Sequence, residues 1–406
     1  MPTGHKLSLE RWGSKNSSGR HFDLLDGIRG SAILMVVAFH AFYFNPQSGS
    51  ALILLDGLLG GGWMGVPVFF VLSGFLISEP FFRQRKKNED SWHVSGYALR
   101  RMGKIMPPFY LSVVVLTIFY SIHFSNLAYL KSGFLSAIGL LDLIPSGLRL
   151  NGSYWSLVVE TQFYVILPLL FLLTKGFKIN KTTGLLFFLL LLIPFIARQL
   201  SWPVGSPTLP EATAFSLVAR FPCQLDYFAF GVLFSGLFTS LEPVRDKVGS
   251  LGSLGYAGVA LFGLTLWLWM SWSRQFNLHS SPSCWSTEIF HFLPATSAFF
   301  LLFFVFDPAS FGNRFLSCSP LRFIGIISYE WFLLHQPVIF FFKELLPKSN
   351  GNLIIYSLRT FMPLALSFGL SVLIYHFFSL PLLNWFRKKA HQRSVVENNE
   401  NEAAKC

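Results

Sequence analysis

The sequence has few charged residues, few cysteines and no long polar segment. Only 13% of its 406 residues are charged, against ~25% in soluble domains, and apolar runs recur to the C-terminus. These features exclude a soluble globular enzyme. The 4 cysteines, Cys223, Cys284, Cys318 and Cys406, lack metal-site spacing and obvious partners, so they indicate neither a disulfide framework nor a zinc site. A composition that is 52% hydrophobic and 17% aromatic instead indicates an integral membrane protein.

The chain is also basic, with a formal net charge of +12. In a soluble protein this excess would suggest nucleic acid as a partner, but no recognition motif or basic, aromatic single-strand platform is present. Basic residues commonly gather in the cytoplasmic loops of membrane proteins. We therefore expect the lipid bilayer, and no nucleic acid, as a partner.

Apolar runs along the whole chain predict an all-α, polytopic membrane protein with about ten transmembrane helices, since a spanning helix uses ~20 apolar residues. The runs lie near 24–44, 63–82, 105–123, 154–174, 182–197, 215–241, 251–271, 289–306, 323–342 and 361–386. A shorter run at 134–144 predicts a re-entrant or interfacial segment.

The distribution of basic residues predicts the orientation. A cytoplasmic N-terminus puts most of the 32 lysines and arginines in inside segments, as the positive-inside rule favours. Both termini are then cytoplasmic, which agrees with an even number of helices. We expect residues 1–21 to be a polar cytoplasmic segment, 22–387 a membrane domain, and 388–406 a disordered cytoplasmic tail.

The first candidate site lies on the first predicted helix. Ionisable residues inside membrane helices cost about 2.5–3.5 kcal/mol each, and are therefore functional candidates. Arg29 and His40 differ by eleven positions, or about 1100° and ~16.5 Å on an α-helix, so they share one face. This geometry, flanked by Asp26, suits an elongated anionic ligand with a histidine ready for proton transfer. The alternative is a snorkelling arginine and a histidine hydrogen-bonded to a neighbouring helix.

A second candidate is the basic cluster of Arg100, Arg101 and Lys104, directly before the third apolar run. Residues 101 and 104 become neighbours in a helix, and such a cluster can bind phosphates. The alternative is a cluster that only anchors the topology of the helix.

Two further ionisable residues lie inside predicted spans. Glu160 has Ser156 and Tyr164 four residues away on either side, so all three share a helix face. Its carboxylate could orient a histidine or accept a hydroxyl proton, or form a structural hydrogen bond between helices. His335, in the ninth run, could line the same cavity or be a packed, hydrogen-bonded residue.

Taken in order, these segments resemble the membrane acyltransferase family called acyltransferase 3. The family hallmark, a basic residue and a histidine separated by ten residues, is matched by Arg29 and His40. Further signatures are matched by FFVLSGFLIS at 69–78, the basic stretch 100–107, WSL with Glu160 and FY at 155–164, FGVL at 230–233, and SY with HQP at 328–337. Lys104 replaces the family's usual second arginine, and Glu330 and Trp331 alter its usual aromatic run.

The resemblance implies a membrane O-acyltransferase that moves an acyl group, often acetyl from acetyl-CoA, onto a hydroxyl of a carbohydrate or lipid-linked glycan. His40 would be the general base or a transient acyl carrier, assisted by Glu160. Acyl-CoA phosphates would be held by Arg29, Arg100, Arg101 and Lys104. The acceptor would be contacted by Asp26, Tyr154, Trp155 and His335, with the two aromatic rings stacking on a sugar. No metal is expected, and the family's usual setting is the bacterial inner membrane.

Two other readings of the same residues stay open. A transporter or exporter could use His40 and Glu160 as a proton relay, although no repeat is visible that would indicate two related halves. A non-catalytic scaffold would bind no coenzyme A tightly. Some family members add an esterase-like domain after the membrane unit; because this chain ends shortly after its last predicted helix, we expect the membrane domain to act alone or with a separate partner. The sequence carries no signal for an oligomeric state.

Overall fold

The structure is a computed structural model that describes residues 23–43, 62–86, 94–138, 149–174, 181–201, 219–241, 311–349 and 352–403. Within these ranges all regular elements are helical, which confirms the all-α prediction for this part of the chain. The helices are α1 Asp23–Tyr43, α2 Gly65–Lys86, α3 Val94–His123, α4 Ala128–Ala137, α5 Tyr154–Leu173, α6 Lys181–Ser201, α7 Phe221–Leu241, α8 Phe311–Leu316, α9 Ser319–Ile326, α10 Ser328–Leu345, α11 Leu353–Ile374 and α12 Leu380–Ala403. A 3₁₀ turn, Gly62–Met64, precedes α2, and a π-helical turn, Tyr375–Ser379, joins α11 to α12.

Several of these helices are long and apolar enough to cross a membrane. Among the described residues there are 6 such spans, or up to 7 if α9 and α10, which meet at a bend of 71°, form one span. The predicted fifth span is a helix, α6, which contains the shorter apolar stretch Phe188–Arg198 among its described residues. The predicted spans at 251–271 and 289–306 lie outside the described residues. The chain is therefore a multi-pass membrane protein, whose described part accounts for six or seven of the ten predicted spans.

The C-terminal segment differs from the prediction of a disordered tail. Helix α12 runs from Leu380 to Ala403, so residues 388–403 are helical. This segment contains no glycine or proline and includes Lys388, Lys389, Arg393 and three glutamates, residue types that favour a helix. A preceding membrane helix supplies the nucleus that an isolated polar helix would lack. The predicted N-terminal segment 1–21 lies outside the described residues.

The chain folds into two compact units that interleave along the sequence. The first unit contains α1, the part of α2 up to Pro80, α7 from Asp226, α8 and α9. Its apolar core joins three helices through Leu24, Leu25 and Ile28 of α1, Leu72 and Phe75 of α2, and Phe234 and Phe238 of α7.

Glycines bring α1 and α9 into backbone contact within this first unit. A Cβ added at Gly30 would overlap the backbone of residue 321 in α9, and one added at Gly325 would overlap the Asp26 carbonyl. Gly27 makes the same kind of contact with residue 316, at the end of α8. Small residues allow this close approach, which supplies the van der Waals packing that holds membrane helices together. The DGIRG sequence at 26–30 therefore has a packing role besides its charged side chains.

The second unit is built around the antiparallel pair α3 and α5. The Tyr97 hydroxyl near the start of α3 donates to the Tyr164 carbonyl in the second half of α5, at 3.1 Å. The hydroxyls of Ser112, further along α3, and Tyr154, at the start of α5, lie 2.7 Å apart. These two contacts fix the register in which α3 and α5 pack against each other.

Helices α10 and α11 belong to the same unit and are joined by a tryptophan. The Trp331 indole N–H donates to the Ser367 hydroxyl at 3.0 Å, and the ring packs edge-on against Phe368 with centroids 5.1 Å apart. A buried indole needs a partner for its N–H. Trp331, which departs from the family's usual aromatic run, therefore serves helix packing here.

Candidate functional site

The first group of predicted site residues lies on one uninterrupted helix. Asp26, Arg29 and His40 all belong to α1, as the sequence predicted. Nδ1 of His40 lies 2.8 Å from the Val36 carbonyl oxygen one turn earlier. A carbonyl oxygen can only accept, so Nδ1 carries the hydrogen and, in the neutral ring, Nε2 carries the lone pair. The local helix geometry thus makes Nε2 the atom suited to take a proton or an acyl group.

The cation of this group is held by its own helix. The Arg29 guanidinium lies 4.0 Å from the Asp26 carboxylate, and the two side chains are only 11% and 7% exposed. One turn earlier, Asp23 forms a 2.6 Å ion pair with Arg322 of α9. Both carboxylates occupy the first turn of α1, where the helix dipole favours negative charge. Asp26 therefore orients Arg29 and offsets part of its positive charge.

The second group lies in the second unit and connects α3 with α5. The Arg101 guanidinium carbon lies 5.7 Å from the centroid of the Tyr164 ring, a cation–π distance. The Tyr164 hydroxyl in turn donates to Glu160 Oε1, one helical turn away on α5. Tyr164 thus bridges Arg101 and Glu160, two residues that the sequence assigned to different roles. We name these three residues the Arg101 cluster.

The other basic residues lie in the same turns of α3. Arg100 and Lys104 are partly buried beside Arg101. Between them, Gly103 faces α12, because a Cβ at this position would overlap the Phe386 ring. The basic turn of α3 therefore packs directly against the helix that carries the C-terminal basic residues.

The aromatic residues at the start of α5 have different environments. Tyr154 is 2% exposed; its hydroxyl pairs with Ser112 and its ring packs edge-on against Phe109, with centroids 5.1 Å apart. This burial favours a packing role for Tyr154 over the predicted stacking on a sugar. Trp155 is partly exposed, so stacking of its ring on a sugar stays a prediction.

His335 lies fully buried in α10. Its Nδ1 lies 2.8 Å from the Phe332 carbonyl and 3.2 Å from the Trp331 carbonyl, so Nδ1 is again the protonated nitrogen. These bonds to its own helix fix the imidazole orientation, in line with the packed, hydrogen-bonded alternative. The neighbouring Gln336 and the segment before α5 complete this buried region, in which Asn151 Nδ2 donates to the Leu333 carbonyl at 2.7 Å.

Sequence reasoning missed the residues that hold the predicted ones in place. Tyr97, Ser112 and Asn151 had no assigned role, although each makes a hydrogen bond between separate segments of the second unit. The alignment of Tyr164 with Glu160 was visible in the sequence, whereas its contact with Arg101 depends on how α3 and α5 pair. Within the described residues no group of three or more histidine, cysteine, aspartate or glutamate side chains could hold a metal.

Comparison with known proteins gives the family. The sequence model described as an acyltransferase domain, of the acyltransferase 3 family, matches residues 22–376. The chain is 25% identical to the peptidoglycan O-acetyltransferase OatA of Listeria monocytogenes, over 91% of this chain and 58% of that protein. It is also 25% identical to the O-acetyltransferase OatA of Staphylococcus aureus, over 80% of this chain and 52% of that protein.

No solved structure matches the chain significantly. The chain spans little more than half the length of the curated relatives it matches. The family match nevertheless covers nearly all of this chain, including both groups of residues described above. The chain therefore belongs to the acyltransferase 3 family of polytopic membrane O-acyltransferases.

Proposed function

We propose that this protein is a membrane-embedded O-acyltransferase that moves an acyl group, most simply acetyl, from acyl-CoA to a hydroxyl of a carbohydrate acceptor. Family membership and the activity of the Listeria relative, O-acetylation of peptidoglycan, support the reaction class. The observation that carries the chemistry is the hydrogen bond from His40 Nδ1 to the Val36 carbonyl. We assign the protein to the bacterial inner membrane, where acyl-CoA is available on the cytoplasmic side.

His40 is the general base in this proposal. Nε2 takes the proton of the acceptor hydroxyl while the hydroxyl oxygen attacks the thioester carbonyl. The new C–O bond forms, the C–S bond breaks, and the coenzyme A thiolate leaves and receives the proton. The Val36 carbonyl stabilises the imidazolium by continuing to accept from Nδ1. General base catalysis of this kind contributes about 10²–10⁴-fold; attack by Nε2 on the thioester, giving an acyl-histidine, is the alternative use of the same lone pair.

The basic residues bind the donor in this proposal. Arg100, Arg101 and Lys104 offer several cationic donors within two turns of α3, and charge-assisted hydrogen bonds to phosphate are among the strongest available. Glu160, held by Tyr164, is a positioning residue, and the partly exposed Trp155 contacts the acceptor.

The direct test is acetyl transfer by the full-length protein in membrane vesicles, with acetyl-CoA and a soluble oligosaccharide. His40→Ala should lower the rate by about 10²-fold or more, and added imidazole should restore part of it if His40 is the base. The matched control is His123→Ala, because His123 is a half-exposed histidine at the far end of α3.

Activity of His40→Ala within about threefold of wild type would remove His40 from the chemistry. Uptake of a solute by vesicles without any acyl donor, abolished by His40→Ala and Glu160→Gln, would favour the transporter instead. A covalent acyl-enzyme that is trapped by rapid acid quench in wild type, and is absent in His40→Ala, would select the acyl-histidine route.

A further inference from the structure

A buried polar region lies where α5 begins, within the second unit. Asn151, Gly152 and Ser153 immediately precede α5, and Gly152 lies against the Gln336 side chain of α10. Asn151 holds the region together, because its Nδ2 donates to the Leu333 carbonyl at 2.7 Å and its Oδ1 accepts from the Ser153 N–H at 2.9 Å. The backbone before α5 is therefore fixed against α10.

Two polar atoms in this region have no hydrogen-bond partner among the described residues. They are Oγ of Ser153 and Oε1 of Gln336, in residues that are 2% and 5% exposed. A buried polar group without a partner costs about 1–3 kcal/mol, so its presence in a native protein requires an explanation. A ligand that completes these bonds would offset the cost.

The local geometry leaves both atoms without a partner in the described part of the chain. Ser153 is the N-cap of α5, yet its side chain makes no capping bond, although serine at this position ordinarily accepts from the first turn. Gly152 leaves space for Gln336, since a Cβ there would lie only 2.5 Å from Oε1. A larger residue at 152 would push the amide out of this position.

The two atoms have complementary hydrogen-bonding roles. The Ser153 hydroxyl can donate, and Gln336 Oε1 can only accept. A ligand hydroxyl both accepts and donates, so it matches the roles of both atoms, whereas a carboxylate offers no proton to Oε1. The partly exposed Trp155, two positions after Ser153, adds a flat apolar ring of the kind that packs against sugars. These features select a carbohydrate hydroxyl.

The region lies at the end of the α3–α5 pair that is remote from the basic turn. Tyr154, beside Ser153, pairs with Ser112, and Ser112 follows Arg101 by eleven residues, or ~16.5 Å along α3. A donor held at Arg101 and an acceptor held at Ser153 would thus occupy opposite ends of the same helix pair. We propose that Ser153 and Gln336 form the acceptor subsite, which binds a carbohydrate hydroxyl; the inference rests on the proposed function.

The test measures sugar binding separately from transfer. The full-length protein in lipid nanodiscs is heated with and without millimolar chitotetraose, a β-1,4-linked amino-sugar oligosaccharide, in the absence of any acyl donor. A ligand that binds only the folded state raises the melting temperature. The variants are Ser153→Ala and Gln336→Met, and the matched control is Ser136→Ala, another buried serine whose Oγ has no partner among the described residues.

We expect the sugar to raise the melting temperature of wild type and Ser136→Ala, and to lose at least half of this effect in both subsite variants. Without sugar, Ser153→Ala should melt at or above the wild-type temperature, because the substitution removes an unsatisfied buried group. In the transfer assay both variants should raise KM for chitotetraose at least tenfold, with KM for acetyl-CoA unchanged. If Gln336→Met does not fold, Ser153→Ala alone is compared with wild type for sugar stabilisation and KM.

Three outcomes separate the two proposals. Equal sugar stabilisation and equal KM in wild type and both variants would overturn the subsite and leave the proposed function standing. No sugar stabilisation of wild type would also overturn the subsite. Sugar stabilisation that both variants lose, without acetyl transfer by wild type, would overturn the proposed function and keep a carbohydrate site.

Discussion

The hydroxyl of Tyr164 offers the sharpest test of how the Arg101 cluster works. Tyr164→Phe removes the hydrogen bond to Glu160 and keeps the ring beneath the Arg101 guanidinium. The substitution therefore separates the orientation of the carboxylate from the cation–π contact. We expect it to lower transfer activity while leaving the fold intact.

The size of the loss follows from the bond removed. A hydrogen bond to a charged group contributes about 1.5–3 kcal/mol, and each 1.36 kcal/mol corresponds to a factor of ten in rate. If Glu160 must keep its orientation in the transition state, kcat/KM should fall roughly 10- to 150-fold. Tyr164→Leu, which also removes the ring, should cost about 0.5–2 kcal/mol more.

The assay is acetyl transfer to chitotetraose in membrane vesicles, analysed as a double-mutant cycle with Glu160→Gln. If the hydroxyl acts only through Glu160, the double variant should be no slower than Glu160→Gln alone. Tyr110→Phe is the matched control, because Tyr110 is a 44% exposed tyrosine on α3. A loss below threefold for Tyr164→Phe, or additive losses in the cycle, would refute the link between Tyr164 and Glu160.

Two further predictions concern the stability of the helix packing. Gly325→Ala should lower the free energy of unfolding by about 1–3 kcal/mol, because its Cβ would overlap the Asp26 carbonyl; Gly369→Ala, with nothing within 4 Å, should leave thermal stability in detergent unchanged or higher. Equal melting temperatures for the two variants would contradict the tight α1–α9 contact. Arg359→Leu should cost at least ~1.5 kcal/mol, because Arg359 donates to the carbonyls of residues 343, 346 and 347 at the end of α10. Arg359→Lys should recover part of this loss. An Arg359→Leu variant with the melting temperature of wild type would show that these hydrogen bonds to the end of α10 do not stabilise the protein.

Much of the fold was predictable because bilayer helices satisfy their own backbone hydrogen bonds and need long apolar runs. Helix α1 was predicted at 24–44 and lies at Asp23–Tyr43, and the fourth predicted span, 154–174, became α5, Tyr154–Leu173. The extent of α12 was not predicted, since apolarity does not reveal where a polar helix that continues from a membrane span will end. The hydropathy pattern also does not predict that the chain divides into two compact units.

In the candidate site, contacts within one helix were predictable from the sequence, whereas contacts between helices were not. Residues that act within one helix, such as His40 with Val36 or Arg29 with Asp26, follow from helical periodicity, which is a property of the sequence alone. The partner of Arg101 did not follow, because a single sequence does not state which helices pair or in what register. Tyr154 was expected to stack on a sugar, yet the packing of α3 against α5 encloses its ring.

The sequence by itself determined that this protein is a multi-pass membrane protein, helical throughout its described part, with a cation and a histidine on its first helix. These properties depend on hydrophobicity and on the 3.6-residue period, both of which are local. Only the tertiary structure decided that Tyr164 links Arg101 to Glu160, and that Oγ of Ser153 and Oε1 of Gln336 are buried without a hydrogen-bond partner among the described residues. Such relations arise when helices distant in sequence pack together, since packing decides which polar groups lose water and which neighbours replace it.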